Sequence, residues 1–111
     1  MSYSYLSITC TTPEERVAVK DFLSAVTPFD EIDEKLVYMT LKSEDVIPVP
    51  TMLEDVICLL EEHKDKLSSV ACKFDCKLEL VAKSPLHCTV EECAPYILSF
   101  AKDIGAAITI L

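Results

Sequence analysis

Residues 3–10, YSYLSITC, followed by TTPEE at 11–15, carry the signal from which the rest of the chain is read. Leu6, Ile8 and Cys10 alternate with Tyr3, Tyr5, Ser7 and Thr9, so one face of an extended segment is apolar and the other carries hydroxyls and rings. This predicts a half-buried strand. Thr12, Pro13 and Glu15 then supply an N-cap, a proline suited to a first helical turn, and an acid three residues after the cap. They predict a helix whose apolar positions Ala18, Val19, Phe22, Leu23 and Val26 recur at steps of three and four, with Pro28 ending it.

Working outward, FDEIDE at 29–34 reads as a polar connection. LVYMTLK at 36–42 reads as a second strand, with Val37, Met39 and Leu41 on one face and Tyr38, Thr40 and Lys42 on the other. Pro48 and Pro50 bracket a loop. Thr51 with Glu54 repeats the capping box ahead of a long amphipathic helix, in which Leu53, Val56, Ile57, Leu60 and Leu67 form one stripe. From Cys72 to Ala82 the period returns to two: Cys72, Phe74, Cys76, Leu78, Leu80 and Ala82 face one way, and Asp75, Lys77 and Glu79 the other. Thr89 and Glu92 form a third capping box. Pro95 leaves two readings of the helix in VEECAPYILSFAKDI: it begins near Ala94 after a separate short turn, or it is kinked there. Gly105 is placed as the residue just past that helix, and AAITIL as a fourth strand. The sum is one α+β domain over residues 1–111, in the order β-α-β-α-β-α-β. The expected architecture is a single four-stranded mixed sheet with three helices packed on one face.

Composition narrows function before any site is considered. The chain has 111 residues and a single glycine, so a phosphate-cradling Walker loop, a dinucleotide-binding turn and a glycine-flanked nucleophile elbow cannot be written in it. Its net charge of −9, with eleven of the nineteen acids between positions 30 and 65 and Arg16 as the only arginine, opposes nucleic acid and anionic membranes as partners. No apolar run approaches the roughly 18 residues that span a bilayer, and no export leader opens the sequence. A cytoplasmic location with reduced cysteines is therefore expected.

Three candidate sites follow from residue type and spacing. Cys72, Cys76, His87, Cys88 and Cys93 include zinc-ligand atoms, but on an extended strand Cys72 and Cys76 lie roughly 13 Å apart. These cysteines read first as small core hydrophobes, and no metal or cofactor is expected. His63 and His87 suggest no nucleophilic dyad. The acidic stretch Asp30, Glu31, Asp33 and Glu34, joined by Glu44, Asp45, Glu54 and Asp55, reads either as solvated surface or as a docking surface for a basic protein. A wet sheet face bearing Tyr3, Tyr5, Tyr38 and Thr40 offers a third possibility, a homodimer or larger homo-oligomer.

The segments YSYLSIT, MLEDVICLLEEHKDKLSSV, FDCKLELVAKS and TVEECAPYILSFAKDIGAAITI resemble a widespread bacterial family of small cytosolic domains of unknown function. That resemblance implies a single α+β domain and supplies no active-site residues. In size and acidity the chain also resembles immunity proteins, which neutralise a partner toxin by binding it. The expectation is a non-enzymatic immunity- or antitoxin-like protein that covers a basic toxin, for example a nuclease. The alternatives are a metal- or thiol-dependent protein using the Cys/His set at 72–93, or a homo-oligomeric structural subunit.

Overall fold

The computed structural model describes residues 1–24, 29–86 and 88–111. Its centre is β1 (Ser2–Cys10), flanked on one side by β3 (Lys35–Ser43) and β2 (Asp30–Ile32), and on the other by β4 (Cys76–Lys83) and β5 (Ala106–Ile110). Every pairing is antiparallel except β4 with β5, which is parallel. The mixed α+β sheet is as expected, but it has five strands where four were expected. The additional strand is β2, inside the stretch read as a polar connection. Asp33 and Glu34 join it to β3 with φ of 50° and 65°. Two consecutive left-handed residues are what a two-residue type I′ hairpin turn needs, and Asn-Gly is its usual signal. An Asp-Glu pair gives no such signal.

β3 also corrects the expected facing of its side chains. Its register with β1 shifts between Ser4 and Tyr5, which leaves Thr40 as the extra residue of a bulge. The Thr40 hydroxyl donates to the Ser4 carbonyl at 3.0 Å and lies 2.9 Å from the Ser4 hydroxyl. Leu36, Tyr38 and Leu41 consequently point toward the core, and Tyr38 packs on Phe29 with ring centroids 5.8 Å apart. Tyr38 and Thr40 therefore do not share the wet face with Tyr3 and Tyr5.

The helices are α1 (Pro13–Phe22), α2 (Val49–Leu60), α3 (Lys64–Lys73) and α4 (Pro95–Asp103). At α1 the Thr12 hydroxyl accepts from the Glu15 backbone N–H at 3.1 Å, as the sequence implies. The Glu15 carboxylate accepts from the Asp75 backbone N–H at 2.9 Å, which ties the helix start to the approach to β4. The helix was expected to run to Val26 and Pro28 but ends at Phe22 with Leu23 as its C-cap, and Val26 and Pro28 themselves lie outside the described residues. The long second helix is divided by a 3-10 turn at Glu61–His63, so four helices replace the expected three. It also starts at Val49, before Thr51, behind Pro48 and without a side-chain cap. The apolar stripe conceals the break, because Leu60, Leu67 and Val70 all reach the core from either side of it. Likewise β4 begins at Cys76, with Cys72 still in the last turn of α3. Near the end of the chain, Thr89 and Glu92 do form a capping box on a short 3-10 turn, and α4 starts at Pro95, which is the first of the two readings.

All four helices share one continuous core with Leu6, Ile8, Leu36, Leu78, Leu80 and Ala82 of the sheet. Val37 and Val81 are buried yet stand apart from that core. They belong to the opposite, helix-free face. Gly105 closes α4 at φ +70°, and a Cβ placed there would lie 2.8 Å from the Ala71 Cβ. Both the backbone conformation and the close approach of α3 require glycine.

Substitutions at the two left-handed sites test this account. Gly105→Ala should destabilise the protein by about 1–3 kcal/mol in urea unfolding, through left-handed strain and the clash together. Pairing it with Ala71→Gly should recover only the clash component. In the β2–β3 turn, the double substitution Asp33→Asn with Glu34→Gly should raise the unfolding free energy by up to about 1 kcal/mol, because the turn then has residues suited to its backbone.

Candidate functional site

The two faces of the molecule differ in charge. On the helix-free face the register aligns Lys42, Tyr3 and Lys83 in one row across β3, β1 and β4, and Lys35, Thr9 and Lys77 in another. Directly opposed residues share a face, so four of the ten basic residues frame this surface. Of the acids, Asp30 and Glu79 align with it, Asp30 opposite Val37 and Glu79 opposite Ser7, and Asp33 of the β2–β3 turn borders it beside Tyr5, Ser7, Lys35 and Val37. Glu79 accepts a bond from the Thr109 hydroxyl at 2.9 Å. Tyr3 and Tyr5 stack on its central strand, toward the Lys42 and Lys83 end, 6.1 Å between centroids. The rest of the chain therefore carries sixteen acids against six basic residues.

Within that acidic remainder a shallow concavity lies between α2 and α4. It is a groove of about 410 Å³ lined by Ile57 and Phe100, both buried, and by Glu61, Lys64, Tyr96, Ser99 and Asp103, with Pro95 at its end. Lys64 and Asp103 close one end with an ion pair of 2.8 Å. Asp103 raises the Lys64 ammonium above its ordinary pKa, through the hydrogen bond first. At the other end Tyr96 stands beside Glu54. The nearby Glu54 carboxylate is the main cause that pushes the half-exposed Tyr96 hydroxyl up to about 12. The groove thus has an apolar floor and a charged rim, on which Glu61 and Asp103 face a single lysine, Lys64.

The eight acids read from the sequence are all exposed, but they do not form one patch. Asp30, Glu31, Asp33 and Glu34 lie in the β2–β3 hairpin, whereas Glu44 and Asp45 follow the far end of β3. Nine residues of strand separate the two sets by roughly 30 Å, close to the longest dimension of the molecule, 38 Å. Glu54 and Asp55 are on α2, and only Glu54 borders the groove through Tyr96. The hairpin acids are also partly neutralised. Arg16 Nε is 3.5 Å and Lys20 Nζ 3.2 Å from the Glu31 carboxylate, and an Arg16 guanidinium N–H donates to the Glu34 carbonyl at 3.0 Å. The one arginine thereby ties α1 to the hairpin. Sequence reading missed Glu61, Asp103 and Tyr96 as a group, because they meet only when α4 packs on α2.

The cysteines separate into two pairs and two single residues. Cys58 and Cys72 are exposed and apart. Cys88 and Cys93 are buried and both donate to the Thr89 carbonyl, at 3.3 and 3.9 Å. Burial pushes the Cys88 thiol up to about 11, with Glu92 adding to the shift. Cys76 stands directly opposite Cys10 across β1 and β4. His87 lies outside the described residues. Among the described residues, no three His, Cys, Asp or Glu side chains gather where a metal ion would need them, and no helix is long and apolar enough to cross a membrane.

No family model, curated protein or solved structure matches the chain. Its class is therefore defined by its own architecture, a five-stranded mixed α+β sheet with one face covered by helices and the other open.

Tyr96 provides a direct check on the groove. A raised pKa in the folded state means that the neutral phenol's contribution to stability is complete below pH 10.0 and is lost as pH rises through about 12. Ultraviolet titration should show one of the four tyrosines ionising near pH 12, and Tyr96→Phe or Glu54→Gln should remove or advance that late step.

Proposed function

We propose that this protein is a non-enzymatic binding domain that covers a basic protein partner, in the manner of an immunity protein or antitoxin that neutralises a toxin such as a nuclease. The observation that carries this reading is the concentration of negative charge away from the open sheet face, together with a groove that has an apolar floor and a charged rim between α2 and α4. Interfaces of this kind combine a desolvated apolar centre with a charged periphery, and the charge governs encounter rate and partner choice. The groove is where Lys or Arg side chains would meet Glu54 and Glu61 over Ile57 and Phe100, and where a partner's cation would compete with Lys64 for Asp103. The hairpin acids Asp30, Asp33 and Glu34, and Glu44, Asp45 and Asp55 elsewhere, act at longer range as a steering field. Glu31 is already engaged by Arg16 and Lys20.

This division of labour separates two sets of variants. A basic partner co-purified from native lysate provides the binding assay. Neutralising the rim with Glu54→Gln, Glu61→Gln and Asp103→Asn should speed dissociation and weaken affinity by at least about tenfold. Neutralising Asp30, Asp33 and Glu34 should instead slow association and flatten its dependence on salt, with dissociation unchanged. Stopped-flow or surface-binding kinetics distinguish the two effects. Rim variants that bind as tightly as the parent protein would refute the groove, and association rates insensitive to salt would refute the electrostatic reading as a whole.

A further inference from the structure

Cys10 and Cys76 are sixty-six positions apart in sequence and adjacent in the fold. Cys10 is the last residue of β1 and Cys76 the first of β4, and the register places them directly opposite each other. The Thr11 backbone N–H donates to the Asp75 carbonyl at 3.2 Å, so the neighbouring pair, Thr11 with Asp75, is a hydrogen-bonded one. Hydrogen-bonded and non-hydrogen-bonded pairs alternate along an antiparallel ladder, which makes Cys10 and Cys76 a non-hydrogen-bonded pair. Such pairs hold their side chains closest, with Cα atoms about 4.5 Å apart. That separation lies within the span of roughly 4.4–6.8 Å that a disulfide bridges. Both thiols are half-buried, and both line a surface depression of about 210 Å³ together with Thr9, Thr11, Asp75 and Lys77. A small reagent can therefore reach them.

We propose that Cys10 and Cys76 form a dithiol site that a low-molecular-weight disulfide oxidises to an intramolecular disulfide, clasping β1 to β4. The Cys10 thiolate attacks one sulfur of the small disulfide, forming a mixed disulfide and releasing one small thiolate. The Cys76 thiolate then attacks the Cys10 sulfur and expels the second. The protein gives up two protons and two electrons, and the small disulfide takes them up as two thiols. Burial, with the Cys10 neighbour next in importance, pushes the Cys76 thiol up to about 12. Burial raises Cys10 as well. High thiol pKa values make the exchange slow, since the thiolate is the nucleophile. They also make these sulfurs poor leaving groups, so the bond persists once it has formed. This is the behaviour of a structural clasp rather than of a catalytic dithiol. Cys88 and Cys93, also close together, are almost wholly buried and offer no comparable entry.

The test uses the full chain with Cys58→Ser and Cys72→Ser, which removes the two exposed single thiols. It is treated with oxidised glutathione at mildly alkaline pH. Intact mass should fall by the mass of two hydrogens, and digestion should yield one peptide pair joined through Cys10 and Cys76. The thermal midpoint should rise on the order of 10 °C, because the new bond closes a long loop. Adding Cys76→Ser should leave Cys10 carrying a single glutathione and abolish the rise, and adding Cys10→Ser should likewise abolish the joined peptide. The proposal is overturned if Cys10 and Cys76 both remain free to alkylation. A glutathione that stays on Cys10 while Cys76 is present, or a bond found only between Cys88 and Cys93, overturns it equally.

Discussion

The pairing of β1 with both β3 and β4 is the constraint on which the other elements depend. β1 is the central strand, and its Leu6 and Ile8 have no solvent exposure. Each such side chain contributes about 1.5–3 kcal/mol on burial. These two residues are the middle of the surface on which the helices pack. The same strand places Tyr3, Tyr5, Ser7 and Thr9 on the opposite side, so the two-residue period that builds the core also builds the open face. Ser2 and Ser4 on the core side are buried but bonded. The Ser2 hydroxyl donates to the Asp45 carbonyl at 2.8 Å and accepts from the Ile47 N–H at 3.0 Å, which fixes the chain leading into α2. The location of the candidate groove thus depends in part on a hydroxyl at the far end of the central strand.

Charge is layered on this framework with little cost to it. The ion pairs among the described residues are exposed or partly exposed and stabilise weakly. The acids of the rim are exposed, and Asp103 among them is already paired with Lys64, so a partner would meet them without altering the core. The lysines of the open face flank the tyrosine pair at both ends. Two such faces brought together would juxtapose like charges, which disfavours stacking of two copies through that surface.

Most local signals in the sequence were reliable where a short-range mechanism stood behind them, the Thr51–Glu54 box at α2 being the exception. The alternation of YSYLSITC, the Thr12 cap, the Thr89–Glu92 box and Gly105 all describe interactions within a few residues, and all are found in place. Three features were not legible. The β2–β3 turn uses Asp33 and Glu34 in a conformation that neither residue advertises. The facing of β3 up to Met39 is the reverse of that expected, across a bulge at which Thr40 meets Ser4, thirty-six residues away. The break between α2 and α3 hides within a continuous apolar stripe. For the site, the exposure of the eight acids followed from their chemistry, but their dispersal over roughly 30 Å did not. The groove was invisible because Glu61, Tyr96 and Asp103 belong to segments that only packing unites. Cys10 and Cys76 became partners for the same reason.

The position of β1 at the centre of the sheet also governs the order in which the fold can be completed. It leaves the ribosome well ahead of β4, one of its two neighbours, from which some sixty-six residues of chain separate it. While those residues are being made, one edge of an apolar strand stays unpaired. Only when β4 emerges does Leu6 acquire its partner Leu80, and only then can β5 add in parallel beyond it. Assembly is therefore back-loaded: a nascent chain as far as α3 has much of the helical layer, and half of the sheet meant to support it.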